Sequence, residues 1–403
     1  MLRVVIAVSV LLGLSASASV EAQRRLPAPR WVRSVEVTRP GTNVRARPTT
    51  ASDRRGTIQV GTRVPFVMRV MGEGCPGGEW IQIGADAFVC ESLVRFSPSP
   101  PEGDELPRVE DGRLTPRHHA FVRTDGTWAY ARPQDYFQDQ WSESLGQGFG
   151  LAIVERRRVR GVDMARTLSG LWVLARELRW ARPSDFSGVE LEGEPPDSVA
   201  WVVRPRAALR ERPGGRLVER ASRLQRVTVA ESRGDWLRTA DDRWLRARDV
   251  ARPRPSAPPE EVAEGTRWID VDTRTQTLVA YVGERPVFAT AVSTGRPGTP
   301  TPTGTFRIWV KLAEDDMDDL ERDDVSENYA IQAVPWVQYF HESIALHAAF
   351  WHDRFGRPRS HGCVNLAPRD ARWLFRFTQP NMPPGWDAIL PSERERGTVV
   401  RVR

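Results

Sequence analysis

Apolar and polar positions alternate with period two through much of the chain, the spacing of β-strands that have one covered face. The stretch "WIDVDTRTQTLVAYVGERPVFATAVSTG" (268–295) reads as a hairpin with its turn at Gly283-Glu284. In "TPTPTGTFRIWV" (299–310), Pro300, Pro302 and Gly304 impose an extended, turning path before another strand. The period changes in "PRDARWLFRF" (368–377), where apolar residues recur at helical spacing behind a proline suited to a first helical turn, so one short helix is expected there.

The same strand pattern repeats earlier in the chain. Residues 37–96 align with 202–253: each opens on R-x-R-P, passes through a central V-x-V-like strand and a tryptophan (Trp80, Trp236), and ends in another strand. Short strands broken by Gly, Pro and Asp turns predict small antiparallel barrels. The first segment, with Asn43-Val44-Arg45-Ala46-Arg47-Pro48, resembles a bacterial SH3 domain; the second, "ALRERP" (208–213), departs from that hallmark. The expected division is SH3-like domains at 35–97 and 200–253, a more divergent copy at 119–184, a linker at 254–265 and a last domain at 266–403. The Pro-, Ser- and acid-rich stretches 97–107 and 183–198 read as further spacers.

Composition fits several compact units: 403 residues, 40% apolar, with 32 prolines and 31 glycines. The formal charge of +6 comes almost entirely from arginine, Lys311 being the single lysine, and it is scattered among 52 acids. That distribution lacks the basic stripe of a nucleic-acid binder, so no nucleic-acid partner is expected. Arg3, an apolar core from Val4 to Leu14 and small residues ending at Ala22 have the order of a secretory signal peptide, cleaved before Gln23. The rest of the chain contains no run long enough to span a membrane. The expected location is the periplasm or cell envelope, and in such an oxidising compartment Cys75 and Cys90 are expected to form a disulfide.

Cys363 is then left as an unpaired thiol. Four of the six histidines (His341, His347, His352 and His361) lie within 21 residues that end just before it, in "HESIALHAAFWHDRFGRPRSHGC". A cysteine nucleophile needs a base, for which His347 and His361 are candidates, and backbone N–H groups to receive an oxyanion. No histidine follows Cys363, which excludes the cysteine hydrolases whose base comes later in the chain. Zinc binding is not expected, because no H-E-x-x-H or C-x-x-C spacing accompanies these residues. The acidic run "EDDMDDLERDD" (314–324) lacks the glycine and spacing of a calcium loop and reads as a solvated insertion or lid.

With His347 followed by Ser360-His361-Gly362-Cys363-Val364-Asn365, and with Ser293–Ile308 as a supporting motif, residues 266–403 resemble the L,D-transpeptidase (YkuD) family. The resemblance implies a mainly β protein in which small SH3-like barrels precede a β-rich catalytic domain with a short helix. It implies Cys363 as nucleophile, His347 as base with His361 beside it, and Ser360, Gly362 and Asn365 lining the substrate and oxyanion site, without a cofactor. Ala348 stands where many members have glycine, placing a methyl group near the base. The implied reaction is 3→3 cross-linking of peptidoglycan stem peptides through a thioester. The alternatives are an L,D-carboxypeptidase, a transpeptidase that anchors an envelope protein, or a non-enzymatic wall-binding protein.

Overall fold

The computed structural model describes residues 25–318 and 330–403. The expected signal peptide, residues 1–22, and residues 319–324 of the acidic run lie outside the described residues. The fold is mainly β, with a single α-helix among the described residues, Pro368–Phe377.

Three N-terminal segments repeat one strand order. In the third, the order across the sheet is Val250–Ala251, Val199–Val202, Arg226–Arg233, Trp236–Thr239, Trp244–Arg246, Ala207–Arg210, Leu217–Ala221. The second follows the same order, running from Leu178–Trp180 and His118–Val122 through Gly150–Val159 to Glu143–Leu145. The first repeats it with the long third member split into Arg63–Pro65 and Met68–Met71. A one-turn 3₁₀ helix precedes the last strand in all three segments. The sheets curl but do not close, contrary to the barrels expected. In the third segment the outer strand Leu217–Ala221 is exposed along four of its five residues, so it has little apolar surface with which to seal against the opposite edge. Cys75 and Cys90 are disulfide-bonded, with Cα atoms 5.5 Å apart.

The C-terminal domain is built on two facing sheets. One runs Arg285–Ala291, Thr277–Val282, Arg267–Asp272, Val399–Val402, Gly304–Arg307. The other runs Trp386–Ile389, Val310–Asp318, Ala330–His341, Ile344–Ala348, Val364–Leu366. Between them lies a core of Ile269, Leu278, Phe288, Trp336, Phe340, Leu346, Leu366 and Val400, joined by Leu374 and Phe375 of the helix. Burying large apolar side chains of this kind contributes about 1.5–3 kcal/mol each. The helix C-terminus is held by buried Lys311, whose Nζ donates to the carbonyls of Phe375 (2.7 Å), Thr378 (2.9 Å) and Pro380 (2.9 Å).

The expected spacers are not free linkers. Phe186 and Leu191 are buried, and Val189–Glu190 extends the first sheet by pairing with Arg285–Ala291. Gly188 allows this approach, because a Cβ there would lie 2.4 Å from the Ala289 carbonyl. Each N-terminal segment also shares apolar packing with the last domain: Ile58 with Trp386, Phe121 with Phe350, and Trp201 with Trp268 and Phe355. The acidic run differs from a lid where it is described. Residues 314–318 belong to the strand Val310–Asp318, where Glu314 pairs with Arg117 at 2.7 Å and Asp315 accepts from Tyr339 Oη at 2.7 Å.

Candidate active site

The site sits on the parallel pair Ile344–Ala348 and Val364–Leu366, in register Leu346↔Val364, His347↔Asn365, Ala348↔Leu366. Strand alternation separates the two faces. Leu346, Ala348, Val364 and Leu366 enter the inter-sheet core, while Ala345, His347, Cys363 and Asn365 share the opposite face. The methyl group of Ala348 therefore points into the core and away from the base, which removes the steric effect expected of it.

His347 is buried, and its Nδ1 lies 3.1 Å from the Ala348 carbonyl. A carbonyl can only accept, so Nδ1 carries the proton and Nε2 keeps a free lone pair for use as a base. Burial pushes the imidazole pKa down to about 4. Cys363 is half-buried; desolvation raises its thiol to about 11, against an opposing pull from the Ala345 backbone. The resting site thus pairs a neutral thiol with a neutral imidazole, rather than a thiolate with an imidazolium.

Other predicted residues serve the architecture of the cysteine loop. Ser360 Oγ donates to the Cys363 carbonyl at 2.5 Å and accepts from Gly362 N–H at 3.1 Å. That bond engages the Gly362 amide expected in an oxyanion hole, and the two bonds together make Ser360 a brace of the turn. Gly362 has φ of +126°, and a Cβ there would come within 2.6 Å of Ile344 Cδ1. His361 is exposed, with the Arg296 guanidinium against its Nε2. An arginine donor on that nitrogen occupies the lone pair that a base would use.

Asn365 is also buried, and its side chain meets His352. Its amide lies 3.0 Å from His352 Nε2, and His352 Nδ1 accepts the Arg354 N–H at 3.1 Å. Because Nδ1 accepts, Nε2 must carry the proton, so the amide oxygen of Asn365 is the acceptor at this contact. Burial, followed by the charges of Arg359 and neighbouring arginines, lowers the His352 pKa to about 3. Its role is structural. His341 lies outside the catalytic pair, its ring 4.7 Å from that of Phe306.

The supporting motif braces this loop from the side. Ser293 and Asn365 exchange two backbone hydrogen bonds (3.0 and 2.9 Å), and Arg296 N–H donates to the Ser360 carbonyl at 3.0 Å. Thr301 Oγ1 donates to the Gly362 carbonyl at 2.7 Å and accepts from Gly295 N–H at 2.9 Å. Trp351, which sequence reasoning passed over, stacks on the His347 ring at 5.7 Å between centroids. Its only signal was an aromatic neighbour in "FWHD". Among the described residues, no group of three or more His, Cys, Asp or Glu side chains is arranged to hold a metal.

Residues 266–402 match the family model of YkuD, the L,D-transpeptidase catalytic domain. This part of the chain is a YkuD domain. The chain is also similar to solved L,D-transpeptidases. With the Enterococcus faecium L,D-transpeptidase C442S mutant it shares 22% identity, over 34% of this chain and 49% of that one, at a TM-score of 0.27. With the isolated E. faecium catalytic domain the figures are 24% identity, 35% of this chain, 100% of that chain and 0.27. With Mycobacterium tuberculosis L,D-transpeptidase 3 bearing a faropenem-derived adduct they are 18%, 40%, 72% and 0.29. The match thus spans about half the length of the solved E. faecium C442S chain. No curated protein matches it. Within the YkuD domain, the nucleophile candidate Cys363 and the base candidate His347 lie on one face of adjoining strands.

Proposed function

We propose that the protein is an exported L,D-transpeptidase that joins peptidoglycan stem peptides through a thioester on Cys363. The observation that carries this reading is the strand register that sets Cys363 and His347 on one face, with the imidazole Nε2 unprotonated.

As the Cys363 sulfur attacks the carbonyl of the third stem residue, its proton passes to His347 Nε2. An S–C bond forms and the C–N bond to the terminal D-alanine breaks. His347 returns the proton to the departing amine. An acceptor amine then attacks the thioester; a C–N bond forms, the C–S bond breaks, and the thiol is restored. Because thiol and imidazole are both neutral at rest, proton transfer accompanies attack rather than preceding it. The raised thiol pKa also leaves Cys363 less prone to oxidation in an exported protein, where a standing thiolate would be vulnerable.

Mass spectrometry of disaccharide-tetrapeptide incubated with residues 23–403 tests the proposal. A dimer that has lost one D-alanine, absent with Cys363→Ala, is the expected product. Tripeptide alone would identify a carboxypeptidase, and no change would favour a wall-binding protein.

A further inference from the structure

A cleft of about 910 Å³ opens where the third N-terminal segment meets the YkuD domain, and residues 252–255, which join the two, form part of its wall. Close packing sets the walls. Gly356, at φ of +85°, lies where a Cβ would come within 2.3 Å of Val203 Cγ1, and Arg357 Nε donates to the Val203 carbonyl at 3.2 Å. Arg252 Nε donates to the Asp197 carbonyl at 2.7 Å and its other arm to Ser232 Oγ at 2.6 Å.

Six arginines line the cleft, and Asp197 is the one acid in the lining. Half of the arginines are neutralised. Arg204 meets Asp249 at 3.0 Å, Arg252 meets Asp197 at 3.2 Å and Arg254 meets Asp272 at 2.6 Å. Arg248, Arg274 and Arg357 have no carboxylate partner among the described residues, and all three are exposed. The side chains of Arg248 and Arg274 have no hydrogen-bond partner there either. Arg248 comes from the third segment and the other two from the YkuD domain, so the uncompensated charge faces the cleft from both units.

Like charges gathered at one opening repel, and a bound anion relieves that cost. A single carboxylate would leave most of the charge in place. A phosphate group brings close to two negative charges and three acceptor oxygens, which suit planar guanidinium forks approaching from different sides. We propose that this cleft binds a phosphate group, which bridges the third segment and the YkuD domain through Arg248, Arg274 and Arg357. Its lining includes neither Cys363 nor His347, so the proposal stands whether or not the chain transfers acyl groups. The free ion and a phosphate ester share this chemistry.

Calorimetric titration of residues 23–403, in mildly alkaline buffer of fixed ionic strength, tests the proposal. Inorganic phosphate should bind, and acetate should bind at least about 10-fold more weakly. Arg248→Glu and Arg274→Glu should each weaken phosphate binding about 10-fold. Arg39→Glu reverses the same charge at an exposed position on the first segment and should change it by less than about 2-fold. No binding of phosphate, acetate binding as tightly, or equal losses in all three variants overturns the proposal. Thermal unfolding gives an independent readout and reports whether the variants fold. Phosphate bridging two units of the native chain should raise the midpoint of that chain and of Arg39→Glu by mass action, but not that of the two cleft variants. A rise of equal size in all four chains overturns the proposal. Glycerol 1-phosphate distinguishes the sources: equal or tighter binding than inorganic phosphate points to an ester, weaker binding to the free ion, and either order supports a phosphate site.

Discussion

His347 faces Asn365 across two parallel strands, and this one register puts the base candidate on the same face as Cys363, two residues before Asn365. Asn365 reaches away to His352, so the strand pair orders two histidines differently: one is the base candidate, the other is held by the asparagine.

Replacing His347 with glutamine keeps a polar side chain and removes the proposed base. Acylation by tetrapeptide should fall by about 10²–10⁴, while His361→Gln should cost less than about 10-fold. Single-turnover release of D-alanine measures both, and equal losses would return His361 to the catalytic pair.

Thr301→Val deletes the hydroxyl that joins Gly295 to the Gly362 carbonyl. Leaving those buried groups unpaired should destabilise the domain by about 1–3 kcal/mol and slow acylation through a loosened cysteine loop. Urea unfolding gives the stability change. An unaltered midpoint with unaltered acylation would show that the brace is dispensable.

Lys311→Met removes a buried amino group from three carbonyls at the helix end. Leaving those buried acceptors without it should cost about 1–3 kcal/mol. Burial lowers the Lys311 pKa from 10.5 to about 7, so the unfolded chain binds the extra proton between these values and this residue's contribution rises with pH. Thermal unfolding at pH 7 to 9 should show a smaller alkaline gain in the variant than in the native chain.

Acid should weaken the fold well before its surface carboxylates titrate. Burial holds His119 and His347 near 4 and His352 near 3, whereas the unfolded chain takes up these protons near 6.5. Stability is therefore full above pH 6.5 and lost as pH falls toward 4. Buried Asp370, raised to about 7, works in the opposite sense and offsets one of the three histidines. Each uncompensated group contributes about 1.4 kcal/mol per pH unit at most. Unfolding midpoints at pH 6.5, 5.5 and 4.5 should fall in that order, and a flat profile would contradict the burial of these imidazoles.

The strands of the last domain, the helix Pro368–Phe377 and the placing of Cys363 and His347 on adjoining strands were legible because each is signalled locally, by period, proline placement or motif spacing. The fine roles were not. Ser360 and Asn365 have residue types that suit substrate contact, yet backbone geometry directs Ser360 onto its own turn and Asn365 onto His352. Docking of the N-terminal segments was also hidden, since it depends on pairs such as Gly56 against Ala388, more than 300 positions apart. The 183–198 stretch looked like a spacer because prolines and acids outnumber the few apolar residues that seat it.

The most direct test of the account is the intact mass of residues 23–403 quenched during turnover of disaccharide-tetrapeptide. A covalent adduct equal to the donor less its terminal D-alanine, mapped to Cys363 and absent from Cys363→Ala, is the predicted result. D-alanine release that persists in Cys363→Ala with no adduct on the native chain would contradict a thioester mechanism.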